Sequence, residues 1–344
     1  MKGFDKWMTI ILMWLPLTEA YNQDIHFSHI HASPMFLNPG MTGLINSDFR
    51  FISNTKSQWQ FFDKGYQNTL ASAEGKINRG FSNNDDFGIG LQFTADKAGD
   101  LNFTSGEIAL SVSYLKALNR KGDHLISLGV KYGMNRQYFD LNAVRLFDID
   151  PLLSQGDFVP QVNYGDLSLG VGWFFPYGRK NNLYVGASVF HLNRFNVSFD
   201  QNPQAQPVFT YQKWVLLAGG THRFSPYLSF LPSLMWAQQG PHNELNIGGF
   251  LKLTREVFSI YQTDMAMYGG LWFRASMPNL QPQRDALIAS FRLDYNQFQF
   301  TFSWDFTLSD LGLANYAAGG PELSIIYQLK RNPQKVNRVI CPDI

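Results

Sequence analysis

Large apolar side chains occupy every second position in many short stretches of the chain. The longest stretch runs without a break from Phe298 to Ser309, and its apolar face consists of Phe298, Phe300, Phe302, Trp304, Phe306 and Leu308. A period of two residues indicates a β-strand, because successive side chains point to opposite faces of a sheet. Such a face needs a broad apolar surface to pack against, and a lipid bilayer provides one.

The same alternation recurs throughout the chain. It runs from Leu287 to Tyr295 and from Leu323 to Leu329, and in stretches that begin at Phe87, Ile108, Ile126 and Leu167. The pattern predicts about fourteen strands, an even number that is typical of single-chain outer-membrane barrels. Their predicted centres are Phe51, Ala71, Leu91, Leu110, Val130, Val171, Val185, Leu216, Leu231, Ile247, Met267, Phe291, Phe302 and Ile325.

The second face of these strands is polar and carries charged residues. Those that we predict to face the lumen are Lys131, Arg274, Arg292, Asp294, Asp305 and Glu322. An arginine or lysine that faces lipid at mid-bilayer costs about 2–4 kcal/mol, whereas one that faces a wet lumen costs little. The apolar face must therefore meet hydrocarbon. The predicted fold is an all-β, transmembrane, antiparallel up-and-down β-barrel.

The predicted connections between strands alternate in length. The short ones are residues 119–122, 176–181, 225–226 and 296–297, and the long ones are 141–163, 197–209, 275–285 and 309–320. Outer-membrane barrels have short turns on the periplasmic side and longer loops outside. This phase predicts that both termini are periplasmic. A two-residue turn at Asn296-Gln297 would pair Tyr295 with Phe298, so that both face lipid.

Composition agrees with a membrane barrel. Charged residues make up 16% and aromatic residues 15% of the 344 residues, whereas about a quarter of the residues in a soluble domain are charged. Lys and Arg number 28 against 27 for Asp and Glu, so no excess positive charge exists to bind a phosphate backbone. We expect outer-membrane lipid around the protein and no nucleic-acid partner. Trp272, Trp304 and Tyr327 are assigned to the lipid face or to interfacial girdles.

The start of the chain predicts export. Lys2 and Lys6 precede an apolar stretch (7–15) and the small-residue pattern Thr18-Glu19-Ala20, which is typical of a cleaved secretory signal peptide. The apolar stretch is too short to cross a bilayer as a helix. The predicted organisation is a signal peptide (1–20), an N-terminal periplasmic or plug segment (21–46), an outer-membrane barrel (47–330) and a polar periplasmic tail (331–344) that docks a partner.

We predict no catalytic site, cofactor or metal. His26, His29 and His31 are close together in the sequence, but no cysteine or nearby acidic residue completes a metal-binding set. Asp305 and Glu322 are expected to form ion pairs with Arg292, Arg274 or Lys252 rather than to act as an acid and a base. The single cysteine, Cys341, has no partner for an internal disulfide.

Short motifs spread over the mature chain carry a more specific signal. They are Gln23–Ser28 (QDIHFS), Phe36–Gly40 (FLNPG) followed by Gly43, Gln58-Trp59, Gly269–Arg274 (GGLWFR), Asp285–Ile288 (DALI), Trp304–Leu311 (WDFTLSDL), Pro321–Tyr327 (PELSIIY) and Cys341-Pro342. In identity and order they resemble the PorP/SprF family of the type IX secretion and gliding machinery. Two positions depart from the family: Trp304 replaces a tyrosine, and Ile344 ends the chain where an aromatic residue is common.

The resemblance implies a non-enzymatic outer-membrane component that assists export or surface anchoring of secreted proteins such as adhesins. It also implies contacts with type IX components and with peptidoglycan-linked periplasmic proteins. The candidate partner-binding residues come from the terminal motifs: Asp24, Phe27, Ser28, Asn38, Pro39, Cys341 and Pro342. Two alternatives stand beside this interpretation. One is a passive porin or FadL-like small-molecule transporter, which needs an open lumen, and the other is a soluble all-β exported domain.

Overall fold

A computed structural model of the protein describes residues 24–58, 65–77, 85–99, 102–119, 124–140, 159–178, 181–200, 202, 206–255, 265–277, 283–309 and 318–329. Helix in these residues is limited to α1 (Pro34–Leu37) and a 3-10 turn (Pro39–Met41). Over the same residues, no helix has the length and apolarity needed to cross a membrane.

Fourteen antiparallel strands close into one barrel. They are β1 (Phe49–Gln58), β2 (Tyr66–Ile77), β3 (Asp86–Ala98), β4 (Phe103–Ala117), β5 (Leu125–Tyr138), β6 (Gln161–Tyr177), β7 (Asn181–Phe190), β8 (Lys213–Arg223), β9 (Leu228–Gln239), β10 (His242–Arg255), β11 (Met265–Ser276), β12 (Gln283–Tyr295), β13 (Phe298–Thr307) and β14 (Ala318–Leu329). Each strand pairs with its neighbours in the chain, and β1 pairs with β14 to close the sheet. Every predicted strand centre lies in the corresponding strand.

The two faces of the wall differ as the alternation predicts. On β13, Phe300, Phe302 and Phe306 point outward and are 41%, 47% and 43% exposed, whereas Thr301 and Asp305 on the inner face are 3% and 1% exposed. A water-soluble protein would bury the phenylalanines and expose the charge. The barrel is therefore inside-out relative to a soluble protein, which confirms the prediction of a transmembrane barrel and contradicts the soluble alternative.

The turn between β12 and β13 follows the predicted hairpin. Tyr295 stands opposite Phe298 in the register, and both side chains are exposed on the outer face. Asn296 has a φ of 54°, which asparagine tolerates better than most residues and which a two-residue hairpin requires. The turn residues thus fix the register on which the facing of both strands depends.

Connection lengths define two ends of the barrel. Long connections at residues 139–160 and 191–212 mark what we call the loop end, and the opposite end is the turn end. The lengths do not alternate throughout, because β9 joins β10 at the loop end through residues 240–241 alone, where Gly240 has a φ of 57°. The loop predicted at 275–285 is shorter, residues 277–282, because β11 and β12 extend past a bulge at Arg274/Ala275. The periplasmic location of both termini stays a prediction.

Residues 24–48 lie inside the barrel, and we call them the lumenal segment. Asp24 lies at the loop end, beside the first residue of β8 and the last of β9. The segment ends at the turn end, where the backbone nitrogen of Asp48 donates to the carbonyl oxygen of Leu329 over 3.0 Å. Phe27 and Met35 are 5% and 1% exposed between these points. The segment therefore runs through the lumen from one end to the other.

Candidate functional site

The buried hydroxyl of Ser28 fastens the lumenal segment to three strands. Its Oγ donates to Oδ2 of Asp305 on β13 over 2.6 Å. It accepts from Nζ of Lys56 on β1 over 2.7 Å and from Nη1 of Arg274 on β11 over 3.0 Å. Hydrogen bonds to charged groups are stronger than those between neutral groups. One serine side chain therefore links strands from both ends of the sequence.

Glu322 on β14 holds the backbone at the same place. Its carboxylate accepts from the backbone nitrogens of Ser28 and His29 over 2.8 and 3.3 Å, and from Nδ2 of Asn54 over 2.8 Å. Glu322 stands opposite Lys56 in the register of β14 and β1. Because β1 and β14 are the first and last strands, these bonds fasten the lumenal segment across the seam that closes the barrel.

Ion pairs complete this group of side chains. Asp305 Oδ2 lies 3.3 Å from Nζ of Lys56 and 3.0 Å from Nη1 of Arg274, and Arg274 Nε lies 2.5 Å from Asp285 Oδ2. The side chains of Lys56, Arg274 and Asp305 are at most 3% exposed, and buried charges persist only when they are paired. The Ser28 cluster, as we call it, consists of Ser28, Asn54, Lys56, Arg274, Asp285, Asp305 and Glu322.

The side chains of the Ser28 cluster attach the lumenal segment to the barrel wall. A serine beside a lysine can act as a nucleophile when the amine is neutral and the hydroxyl is accessible. Here the ammonium of Lys56 is paired with Asp305, and Ser28 is 2% exposed. The arrangement pairs the buried charges of Lys56, Arg274 and Asp305 and positions the chain.

Residues 38–40 rest on a strip of wall that lacks side chains. A Cβ added to Gly129 on β5 would collide with the backbone of Pro39 and Gly40, and one added to Gly170 on β6 would collide with the side chain of Asn38. Asn38 is fully buried, and its Nδ2 donates to the carbonyl oxygen of Val171 over 2.9 Å. The glycines on the inner face of the wall therefore let the Asn-Pro-Gly turn approach the strands closely.

A second close approach follows at Gly43, whose φ is 72°. A Cβ there would meet the Cα of Gly88 on β3, so both positions need glycine. The backbone nitrogen of Gly43 donates to Oε2 of Glu74 over 2.7 Å, and Arg50 donates to the other carboxylate oxygen of Glu74 over 2.7 Å. The lumenal segment is thus anchored near the turn end as well as at the Ser28 cluster.

His29 and His31 form an aromatic group with two wall residues. The ring centroid of His29 lies 5.5 Å from Phe250 and 6.0 Å from Trp272, and His31 lies 5.8 Å from each. Nδ1 and Nε2 of His29 and Nε2 of His31 are buried with no hydrogen-bond partner in the described chain. Burial and the positive charge of Arg292 lower the pKa of His31 to about 3, and burial also lowers the pKa of His29. Both rings are therefore neutral near pH 7.

Low pH is expected to weaken the packing of the lumenal segment against the barrel wall. The stability that comes from keeping His31 neutral is fully present above the unfolded pKa of 6.5 and is lost as pH falls toward the folded value of about 3. Thermal unfolding measured from pH 7.5 to 4 should show a falling midpoint. The double variant His29→Phe/His31→Phe keeps the ring packing and should flatten this dependence, whereas His124→Phe should leave it unchanged. An equally steep fall in the double variant would contradict the assignment.

Asp24 is held at the loop end by His191, which follows β7. Oδ2 of Asp24 lies 2.8 Å from Nε2 of His191, and Nδ1 of His191 lies 3.0 Å from Asp166. Burial opposes the charge of His191, but the two carboxylates outweigh burial and raise its pKa to about 10. Lys213 lies 3.6 Å from Asp24, and the amide of Gln239 donates to it over 3.1 Å. The first described residue is therefore fixed by charge at neutral pH.

Comparison with protein families decides what kind of barrel this is. The sequence profile of the family described as type IX secretion system membrane protein PorP/SprF matches residues 19–327. The chain belongs to this family. No individually curated protein matches it by sequence. Membership makes it a type IX secretion membrane component, and the inside-out barrel agrees with an outer-membrane location.

Solved outer-membrane barrels are similar in shape only. The TodX monoaromatic hydrocarbon channel deltaS2 mutant has a TM-score of 0.48 at 10% identity, over 88% of this chain and 94% of that one. The CymD monoaromatic hydrocarbon channel has a TM-score of 0.47 at 11% identity, over 87% and 93%. The Pseudomonas putida toluene transporter TodX has a TM-score of 0.46 at 10% identity, over 90% and 98%.

In this PorP/SprF chain, the motifs that are far apart in sequence meet in the lumen. Ser28 of QDIHFS, Arg274 of GGLWFR, Asp305 of WDFTLSDL and Glu322 of PELSIIY all belong to the Ser28 cluster. The proposed partner-binding residues Asp24, Phe27, Ser28, Asn38 and Pro39 all have intramolecular contacts in the lumen. Their role toward other proteins stays a prediction. Cys341 and Pro342 lie outside the described residues.

The predicted lumen-facing charges lie inside the barrel. Lys131 Nζ is 3.0 Å from Glu107, and Arg292 Nε is 2.7 Å from Asp294. The assignment of Trp272 to the lipid side was wrong, because its ring is 3% exposed in the lumen and its Nε1 donates to Ser233 over 2.8 Å. Trp272 and Arg274 are two positions apart on β11, so their side chains point to the same face of the sheet. That phase was the signal that sequence reasoning missed.

Sequence reasoning also missed several anchoring residues. The inward charges Lys56, Glu74 and Glu107 were not singled out, although each alternates with residues that face outward. Their partners come from other strands, so spacing alone could not pair them. In the described part of the chain, no group of three or more His, Cys, Asp or Glu side chains is placed to hold a metal ion.

Proposed function

We propose that the protein is a non-enzymatic outer-membrane scaffold of the type IX secretion machinery, which assists export or surface anchoring of secreted proteins such as adhesins. The observation that carries this proposal is the lumenal segment, which is fastened at Asp24, Ser28, Asn38 and Gly43. A polypeptide in transit needs a free lumen. Partners would therefore engage the ends of the barrel rather than pass through it.

Partner contacts are proposed at both ends of the barrel. The tail that follows β14 starts at the turn end, where we expect other type IX components and peptidoglycan-linked periplasmic proteins to dock. The long connections at the loop end would face the secreted protein. Family membership supports this division of roles, because the type IX system connects periplasmic machinery to proteins displayed on the cell surface.

Deletion of residues 331–344 is expected to abolish secretion or surface display while the barrel still inserts, because β14 ends at Leu329 and its pairing with β1 is untouched. Secretion would be measured as exported protein in the medium and on intact cells, and insertion as the detergent-dependent extraction of the barrel. A tail of equal length made of glycine and serine is the control for length alone. Normal secretion by the deletion variant would contradict docking through the tail.

The porin alternative has a separate test. Wild-type protein in planar bilayers should show little steady conductance, because its own chain occupies the lumen. A stable conductance comparable to that of a general porin, in protein whose lumenal segment is intact by mass, would favour the transporter and contradict the scaffold. The two candidate functions thus differ in a property of the isolated protein.

A further inference from the structure

A cleft lies above the lumenal segment at the loop end. Its floor includes Asp24 and Phe36 of the lumenal segment, and its walls include residues of β3 to β6 such as Asp96, Phe103 and Tyr164. We call it the vestibule. The cleft lies at the end with the long connections, and its described lining includes no residue of the buried Ser28 cluster.

Charges in the vestibule are balanced at all but one position. Glu107 pairs with Lys131 at 3.0 Å, and Asp24 and Asp166 share His191 at 2.8 and 3.0 Å. The remaining carboxylate is Asp96. Its Oδ1 is buried and has no hydrogen-bond partner in the described part of the chain, and no ion pair found there includes it. Asp96 is partly buried, and a buried carboxylate oxygen without a partner is a position where a ligand can supply the missing charge.

An unused donor lies on the same wall. Asn135 lines the vestibule on β5, and its buried Nδ2 has no hydrogen-bond partner among the described residues. β4 lies between the strands of Asp96 and Asn135. One wall therefore presents an acceptor without a cation and a donor without an acceptor. A peptide with a lysine side chain supplies both complements, an ammonium group for Asp96 and a carbonyl oxygen for Asn135.

Aromatic rings in the vestibule favour an ammonium group over a hydrated metal ion. Nζ of Lys131 lies 5.2 Å from the ring centroid of Phe190, and Nζ of Lys213 lies 5.9 Å from that of Phe36. The cleft therefore already holds two ammonium groups against aromatic faces. Phe103 and Tyr164 line it as well, and such faces attract organic cations. A calcium or magnesium ion would instead require several oxygen ligands.

We propose that the vestibule binds a lysine side chain of a polypeptide, with its ammonium group on Asp96 and an adjacent peptide carbonyl on Asn135. This deepens the proposed function, on which it rests for the identity of the polypeptide as a segment of an exported protein. The binding chemistry itself does not depend on that role. A binding assay with purified protein can therefore fail or succeed independently of any secretion assay.

The test is titration of detergent-solubilised protein with acetyl-Gly-Lys-Gly-amide, followed by calorimetry. Asp96→Asn should weaken binding about tenfold or more, which corresponds to about 1.4 kcal/mol. The variant should fold, because it removes an unpaired charge and keeps the shape. Asp86→Asn is the matched control on the same strand, since Asp86 lies at the turn end, 3.8 Å from Lys76, and should bind like wild type.

Three further titrations compare the lysine peptide with other ligands. The uncharged peptide acetyl-Gly-norleucine-Gly-amide should not bind, and butylamine should bind more weakly than the lysine peptide because it lacks the carbonyl group. Equal affinity of the lysine and norleucine peptides, or of wild type and Asp96→Asn, would overturn the site. Equal affinity of butylamine would overturn the peptide, and displacement of the peptide by calcium at equal concentration would overturn the preference for an organic cation.

Discussion

Gly129→Val is expected to displace the lumenal segment from the wall and to open the barrel. A Cβ at this position would collide with the backbone of Pro39 and Gly40. Backbone atoms cannot rotate away as a side chain can, so either β5 or the Asn-Pro-Gly turn has to move. Overpacking of this kind costs about 1–3 kcal/mol, and more where the hydrogen bond of Asn38 to Val171 is also lost.

Conductance in planar bilayers is the direct measurement, because a displaced segment leaves a wet lumen. The variant should conduct in a steady or flickering manner where the wild type conducts little, and external protease should cut the lumenal segment faster. Gly269→Val on β11 is the matched control, since a Cβ there would meet no atom within 4 Å and valine suits a strand. If both variants conduct as little as the wild type, the segment does not depend on the glycine strip.

The barrel was predictable from sequence because its determinants are local. Alternation along β13 sets the facing of Phe302 and Asp305 whatever strand lies beside it, and the Asn296-Gln297 turn fixes the register to β12. Lipid outside and polar groups inside impose the same period on each strand. The strand centres and the facing of residues such as Phe302 and Asp305 therefore follow from spacing alone, whereas Trp272 was assigned to the wrong face because its phase with Arg274 was not used.

The contents of the lumen were not predictable in this way. Ser28 and Asp305 are 277 positions apart, and nothing in the spacing of either motif indicates that they meet. Glycines in strands suit a curved, crowded wall in general, yet Gly129 is required by one particular neighbour, the backbone of Pro39. The contacts of the lumenal segment with several strands depend on the path of the chain in three dimensions. The spacing of residues along the sequence does not encode that path.

Convergence of the motifs also changes their interpretation. Ser28 was predicted to contact other proteins, and Arg274 and Glu322 were predicted to face the lumen. In the structure all three hold the lumenal segment to the wall, and Glu322 does so at the β1–β14 seam. Residues that keep a barrel closed and filled are as necessary to a scaffold as residues that touch its partners. A secretion defect in a variant of these residues would thus need a stability measurement before it is assigned to lost partner binding.

Asp305→Asn is expected to be the most destabilising single charge change in the wall. It leaves the buried cations Lys56 and Arg274 without the carboxylate they share, and removal of one partner from a buried ion pair costs about 3–5 kcal/mol. The midpoint of thermal unfolding in detergent should fall, and heat-dependent mobility on gels should show earlier loss of the folded barrel. Asp285→Asn is the control on the same arginine, and it should cost less because Asp285 is 36% exposed.

A double variant separates lost charge balance from lost shape. Lys56→Met removes the cation that Asp305→Asn leaves unpaired, so the double variant should be more stable than the sum of the two single losses predicts. Charge balance is then the source of the effect, and the seam is held by electrostatics inside the lumen as well as by strand pairing. Strict additivity, or an Asp305→Asn barrel as stable as the wild type, would show instead that β1 and β14 stay closed without the Ser28 cluster.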